Sequence, residues 1–185
     1  MTWKEYTHLF KAIVSGEICS PPYDNADYVD YVTLNQSRQK RWTKRGILNE
    51  ELVNLLENVD KTQYWTVITE PWCGDASHLV PFMFLLSEVS DNIHFKISLR
   101  DGKGSQIQDY LTNGGMSIPI LVVRDANGKD LFHWGPRPKD AQELFLNGKA
   151  DGKTWDDQKV TLQNWYNADK GEQLQEELLH LFGAQ

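Results

Sequence analysis

Apolar positions along this chain change their rhythm near residue 61. Before it they recur with a helical period. Trp3 to Val14 reads as one amphipathic helix and Ala26 to Arg45 as a longer one. "LNEELVNLLENV", starting at Leu48, reads as a third, with Asn49 as its N-cap and Leu52, Leu55 and Leu56 on one face. "SPPYDN", Ser20 to Asn25, is a loop, because paired prolines break a helix. Past residue 61 the pattern alternates. "YWTVITE" predicts a strand, "DASHLVPFMFLLSEV" a helix, "IHFKISL" a strand and "SQIQDYLTN" a short helix. "IPILVVRDANGKDLFHW" holds two β-rich runs joined by Asn127-Gly128, a strong hairpin signal. "KDAQELFLNG" predicts another helix, and the stretch from Trp155 to Gly183 a long helical tail.

Strand, helix, strand, helix, hairpin, helix implies an α/β fold, a central mixed β-sheet flanked by helices. Residues 1–61 are expected to form a helical N-terminal extension packed on a main domain of residues 62–185, because sixty residues bury little alone. Tyr28, Tyr31 and Trp42 offer aromatic surface for that docking.

Composition narrows the function classes. The 185 residues are 40% hydrophobic and 24% charged, as in an ordinary soluble domain. A formal net charge of −7 argues against general nucleic-acid binding. The basic run "RQKRWTKR", Arg38 to Arg45, therefore reads as a solvated helix face with acidic neighbours. No apolar run reaches membrane-spanning length, and "MTWKEYTHLFKAIVSG" carries charges within it and no cleavage site, unlike a signal peptide. Two cysteines make no disulfide framework, so a cytoplasmic location is expected.

The candidate chemistry lies in "TEPWCGDASHLVPF", residues 69 to 82. Cys73 falls between a predicted strand and a predicted helix, where unpaired backbone N–H groups and the helix dipole favour a thiolate. Such a position is expected to bring the thiol below its free value of about 8.5, with the Asp75 carboxylate opposing. Cys73, Asp75 and His78 make a poor metal set, because His78 projects away from the cysteine's side of the helix, and zinc would want more ligands. No metal or other cofactor is expected.

Trp72-Cys73-Gly74-Asp75-Ala76, Pro81 eight residues after the cysteine, Ile118-Pro119 entering the hairpin and Gly135 just beyond it occur in one order. Together they resemble the thioredoxin-fold family, in particular a bacterial branch with a WCGDA motif and a helical N-terminal extension. The resemblance covers roughly residues 62 to 147. It implies a thioredoxin-like fold, a cis peptide at Pro119 beside Cys73, and a substrate groove lined by Trp72, Gly74, Asp75, Ile118, Pro119 and Gly135. Arg100 and Arg137 could project toward the same end of the sheet as partners for a thiolate or anion, although ordinary exposure is the commoner fate of an arginine.

Two departures from the family shape the expected activity. Ala76 stands where a dithiol site has its resolving cysteine, and Val67 where thioredoxins carry a buried aspartate that assists it. A single active thiol, Cys73, is then expected to form mixed disulfides with a protein or low-molecular-weight thiol or disulfide. Cys19, in the "GEICSPP" loop, is expected to be structural or incidental. The alternatives are a redox-silent peptide- or protein-binding module and a monothiol glutaredoxin-like protein that binds a thiol or an iron–sulfur cluster. Glu70 and Trp134-Gly135-Pro136 fit the glutaredoxin alternative poorly, since a basic residue and a Gly-Asp-type turn would be expected there.

Overall fold

In a computed structural model, which describes residues 1–184, four strands make one mixed sheet. They are β1 (Gln63–Thr69), β2 (Ile93–Leu99), β3 (Ile120–Arg124) and β4 (Asp130–Trp134), in the order β2-β1-β3-β4. β1 runs parallel to β2 and antiparallel to β3, and β3 and β4 form the hairpin. Seven helices surround it: α1 (Trp3–Val14), α2 (Ala26–Arg45), α3 (Glu50–Glu57), α4 (Gly74–Ser87), α5 (Lys139–Ala150), α6 (Trp155–Asp169) and α7 (Glu172–Gly183). The α/β, thioredoxin-like architecture expected from the sequence is the one found.

Register explains where the core sits. Phe95, Trp65, Val123 and Phe132 are successive partners across the four strands, so their side chains share one face. Phe182 of α7 stacks on Trp65 at 5.3 Å and meets Phe132 edge-on at 4.8 Å. Phe84 of α4 meets Phe95 at 5.7 Å, and Trp3 of α1 stacks on Phe84 at 4.5 Å. Burying rings of this size supplies a large share of the hydrophobic stabilisation.

Local signals set most helix starts. The Thr2 hydroxyl accepts from the Glu5 amide while the Glu5 carboxylate accepts from the Thr2 amide, a complete capping box. Asn49 caps α3 by accepting from the Leu52 amide, as its sequence position predicted. Two predicted helices differ. "SQIQDYLTN" forms only a 3-10 turn at Ile107–Asp109, after which Asn113 and Gly114 adopt positive φ and turn the chain. The tail is two helices rather than one, because Lys170 and Gly171 both take left-handed φ, 56° and 84°. A Cβ on Gly171 would also meet the Phe82 ring at 2.6 Å, so the break brings the tail back against α4. Among the described residues no helix is long and apolar enough to cross a membrane.

Candidate functional site

Cys73 is the N-cap of α4, directly after the turn that leaves β1. Its amide donates to the Glu70 carbonyl at 3.0 Å, and its thiol donates to the Ile118 carbonyl at 3.3 Å. The Ile118–Pro119 bond is cis. Gly135, at φ +128°, leaves no room for a side chain: a Cβ there would lie 2.3 Å from the Pro119 carbonyl oxygen. The hairpin thus presses Ile118 against the sulfur from behind.

In front of the sulfur lies a cavity of about 420 Å³. Of the residues expected in a groove, Trp72, Gly74, Asp75 and Ile118 line this cavity, and Pro119 and Gly135 are not part of its lining. Much of the remaining lining comes from outside the strand–helix–hairpin unit. Helix α2 contributes Tyr31 and Arg38, and α6 contributes Trp155, Lys159, Gln163 and Tyr166. The Tyr31 hydroxyl sits so close to Gly74 that a Cβ would lie 2.3 Å from it. Asn35, fully buried on the same helix, donates to the Pro71 carbonyl at 2.9 Å and so fixes the turn leading to Trp72 and Cys73.

Electrostatics at the thiol run against expectation. Cys73 is 7% exposed, and burial pushes its pKa up to about 12. The Asp75 carboxylate adds to the rise; the amides of Ala76 and Asp75 and the Arg137 guanidinium oppose it without prevailing. The thiolate anticipated at a helix N-terminus is therefore a neutral thiol. Dehydration by the covering helices outweighs the few N–H groups that face the sulfur.

Arg137 is not an exposed arginine. It forms a salt bridge to Asp75 at 2.7 Å with both side chains about nine-tenths buried, lies 4.2 Å from the Phe145 ring centre and donates to Gln142. Tyr166 donates to the other Asp75 oxygen at 2.9 Å. Asp75 thus joins α4 to α6 and to the segment after β4. Arg100 also faces the cavity, but its carboxylate partner is the half-exposed Asp101, and it lies 4.5 Å over the Trp72 ring.

His78 faces the cavity as well, despite its five-residue offset from Cys73. Both its nitrogens are engaged: Nδ1 accepts from Trp42 Nε1 at 2.9 Å, so Nε2 carries the proton toward Gln163 Oε1 at 3.2 Å. Burial and nearby Arg38 lower its pKa to about 3, so it stays neutral and makes a poor base at neutral pH. Among the described residues no group of three or more His, Cys, Asp or Glu side chains could hold a metal ion.

A thioredoxin family model matches residues 23–159, close to three-quarters of the chain. The chain belongs to the thioredoxin family. The matched span runs further than residues 62 to 147 and takes in α2 and the first turn of α6. Among solved structures the chain is similar to an HIV epitope-scaffold, with a TM-score of 0.58 and 16% identity, covering 100% of this chain and 99% of that one. It is also similar to a protein of unknown function from Pseudomonas aeruginosa, with a TM-score of 0.48 and 19% identity over 93% and 99% of the two chains. No curated protein matches the chain.

Within this thioredoxin-family site, sequence reasoning missed Arg38, Lys159, Gln163 and Tyr166. Arg38 was readable in part. Tyr31, Asn35, Arg38 and Trp42 follow one another at spacings of three and four, so they stripe one side of α2. That stripe packs against α4 and the cavity, so the basic run is not a purely solvated face: Trp42 at its centre is buried. The α6 residues left no comparable signal. Cys19 is exposed and free.

Proposed function

We propose that this thioredoxin-family protein binds a small disulfide in the cavity over Cys73 and exchanges with it through that single sulfur. The observation that carries the reading is the position of the Cys73 thiol, which opens on the cavity on one side and is held by the Ile118 carbonyl on the other. Exchange would start from the Cys73 thiolate, which attacks one sulfur of the bound disulfide. A new S–S bond forms, the old one breaks, and the other half leaves as a thiolate that takes up the proton Cys73 lost. Ala76, one helical turn on, has no sulfur to expel the partner, so release waits for a second thiol from solution. With Val67 in place of an acid, general disulfide reduction is disfavoured. Two free thiols suit a reducing compartment such as the cytoplasm.

The buried, neutral state of Cys73 favours a second reading, a redox-silent binding module that uses the same cavity. Brief exposure of the folded Cys19→Ser chain to the neutral aromatic disulfide 2,2′-dithiodipyridine, followed by mass spectrometry, separates the two. The exchange reading expects a persistent adduct at Cys73. A thiol that is labelled only after unfolding assigns the cavity to binding alone.

A further inference from the structure

The charge lining the cavity is opposite to that of the chain. The protein carries 26 acidic residues against 19 basic ones, yet Arg38, Arg100, Arg137 and Lys159 line the cavity against Asp75 alone among the described acidic residues. Asp75 is already engaged by Arg137 and Tyr166. Arg38 has no carboxylate partner among the described salt bridges. Its Nη1 donates to the neutral Asn35 Oδ1 at 2.9 Å, and its buried Nε has no hydrogen-bond partner. Half-buried Arg38 therefore brings to the cavity a charge that no carboxylate of the described salt bridges offsets. The carboxylate beside Lys159 is solvent-facing, Asp156 with 85% of its side chain exposed, so it neutralises its partner weakly, while Asp101 holds Arg100 through two bonds of 2.8 Å.

Aromatic rings orient these cations. The Arg38 guanidinium lies 5.7 Å and the Lys159 ammonium 5.5 Å from the Tyr31 ring centre, and Arg100 lies over Trp72. Supported through its face, the Arg38 guanidinium keeps an N–H edge for a planar anionic group, whereas Arg100 already gives Nε and Nη2 to Asp101 and Nη1 to the Met116 carbonyl and adds charge alone. The volume suits a ligand of small-molecule size.

We infer that the Cys73 cavity selects a small anionic ligand, carrying carboxylate or phosphate groups, through Arg38 together with Arg100 and Lys159. The inference rests on the cavity being the binding site proposed above and adds the charge class of what enters it. It does not need the sulfur to react.

Isothermal titration of the full chain with isophthalate, an aromatic dicarboxylate without sulfur, tests it against isophthalamide, its neutral counterpart. Isophthalate binds the wild type at least about tenfold more tightly than the amide, and higher ionic strength weakens it. It also slows labelling of Cys73 by 2,2′-dithiodipyridine in the Cys19→Ser chain, which places it in the cavity. Arg38→Gln weakens isophthalate by about tenfold and leaves the amide unchanged. Lys159→Gln, at a half-buried position on the cavity rim, gives a smaller loss and serves if the Arg38 variant does not fold. Equal affinity for acid and amide, or no isophthalate binding while Cys73 still labels, overturns the anionic class and leaves the exchange reading intact. Isophthalate binding to a chain whose Cys73 never labels supports the anionic class and removes exchange.

Discussion

Cys73 lies where two local effects compete with a larger non-local one. The helix N-terminus and Arg137 favour its thiolate; burial and Asp75 oppose it and prevail. With its pKa pushed up to about 12, the thiol is ionised at neutral pH far less than a free cysteine. Alkylation of the folded Cys19→Ser chain by iodoacetamide is expected to be slow at pH 7 and to keep rising past pH 9 without levelling. A plateau near pH 8 would contradict the burial argument. Stability has the same origin. The folded pKa is raised, so the contribution is complete below the unfolded value and is lost as pH climbs from about 9 toward 12. Urea midpoints of wild type are therefore expected to fall more steeply over that interval than those of Cys73→Ala. Asp75→Asn is expected to lower the Cys73 pKa, and to cost about 3 kcal/mol of stability by leaving Arg137 buried without its partner. A pH series of alkylation rates and a urea titration read the two effects separately.

Helix α7 acts at the scale of elements, by supplying polar groups that its neighbours lack. Helix α5 has Pro138 as its N-cap, which gives no side-chain hydrogen bond, and α7 supplies the acceptors instead. Glu177 accepts from the Lys139 amide at 2.7 Å and from Trp134 Nε1 at 2.6 Å, while Gln173 accepts from the Asp140 amide. Gln175 accepts from the Asn49 amide and donates to the Ile47 carbonyl, joining α7 to the start of α3. One side of α7 buries Leu174, Leu178 and Phe182, and another clamps two helix starts. Glu177→Ala is expected to cost about 1–3 kcal/mol, since it leaves the Trp134 and Lys139 donors without their acceptor. Thermal melts will show it, and Glu177→Gln, which keeps an acceptor, is expected to recover part of the loss. The sequence showed this segment as helical from its periodicity, and Lys170-Gly171 was the available sign of the break. Its capping role could not be read, because each bond joins residues far apart in the chain.

The whole molecule is tied together across the residue 61 boundary. Trp42 donates to His78, Asn35 to the Pro71 carbonyl, and Tyr31 lies against Gly74, all between α2 and the first turns of α4 with the turn before it. Arg41 donates to Asn167 of α6, so the helices before and after the sheet also meet each other. Limited proteolysis is therefore expected to leave residues 1–61 attached to the rest; rapid release of a stable core starting near residue 61 would show the contacts to be weak. Removal of residues 1–61 is expected to expose the Cys73 region and to speed alkylation, provided the remainder folds.

The sequence by itself determined the parts that depend on near neighbours. Helical and strand periodicities, the Asn49 cap, the Asn127-Gly128 hairpin and the ordered landmarks from Trp72 to Gly135 are all short-range patterns, and they sufficed for the fold and for locating Cys73. Alanine rather than a second cysteine at position 76 was equally visible. Tertiary structure alone decided the state of that thiol and the charge of its surroundings. Desolvation sums over every group that displaces water, and here those groups include residues of α2, α6 and the segment around Ile118, which no local window contains. The pairing of Arg137 with Asp75, and the convergence of Arg38 and Lys159 on Tyr31, likewise exist only once the separate helices close over the end of the sheet.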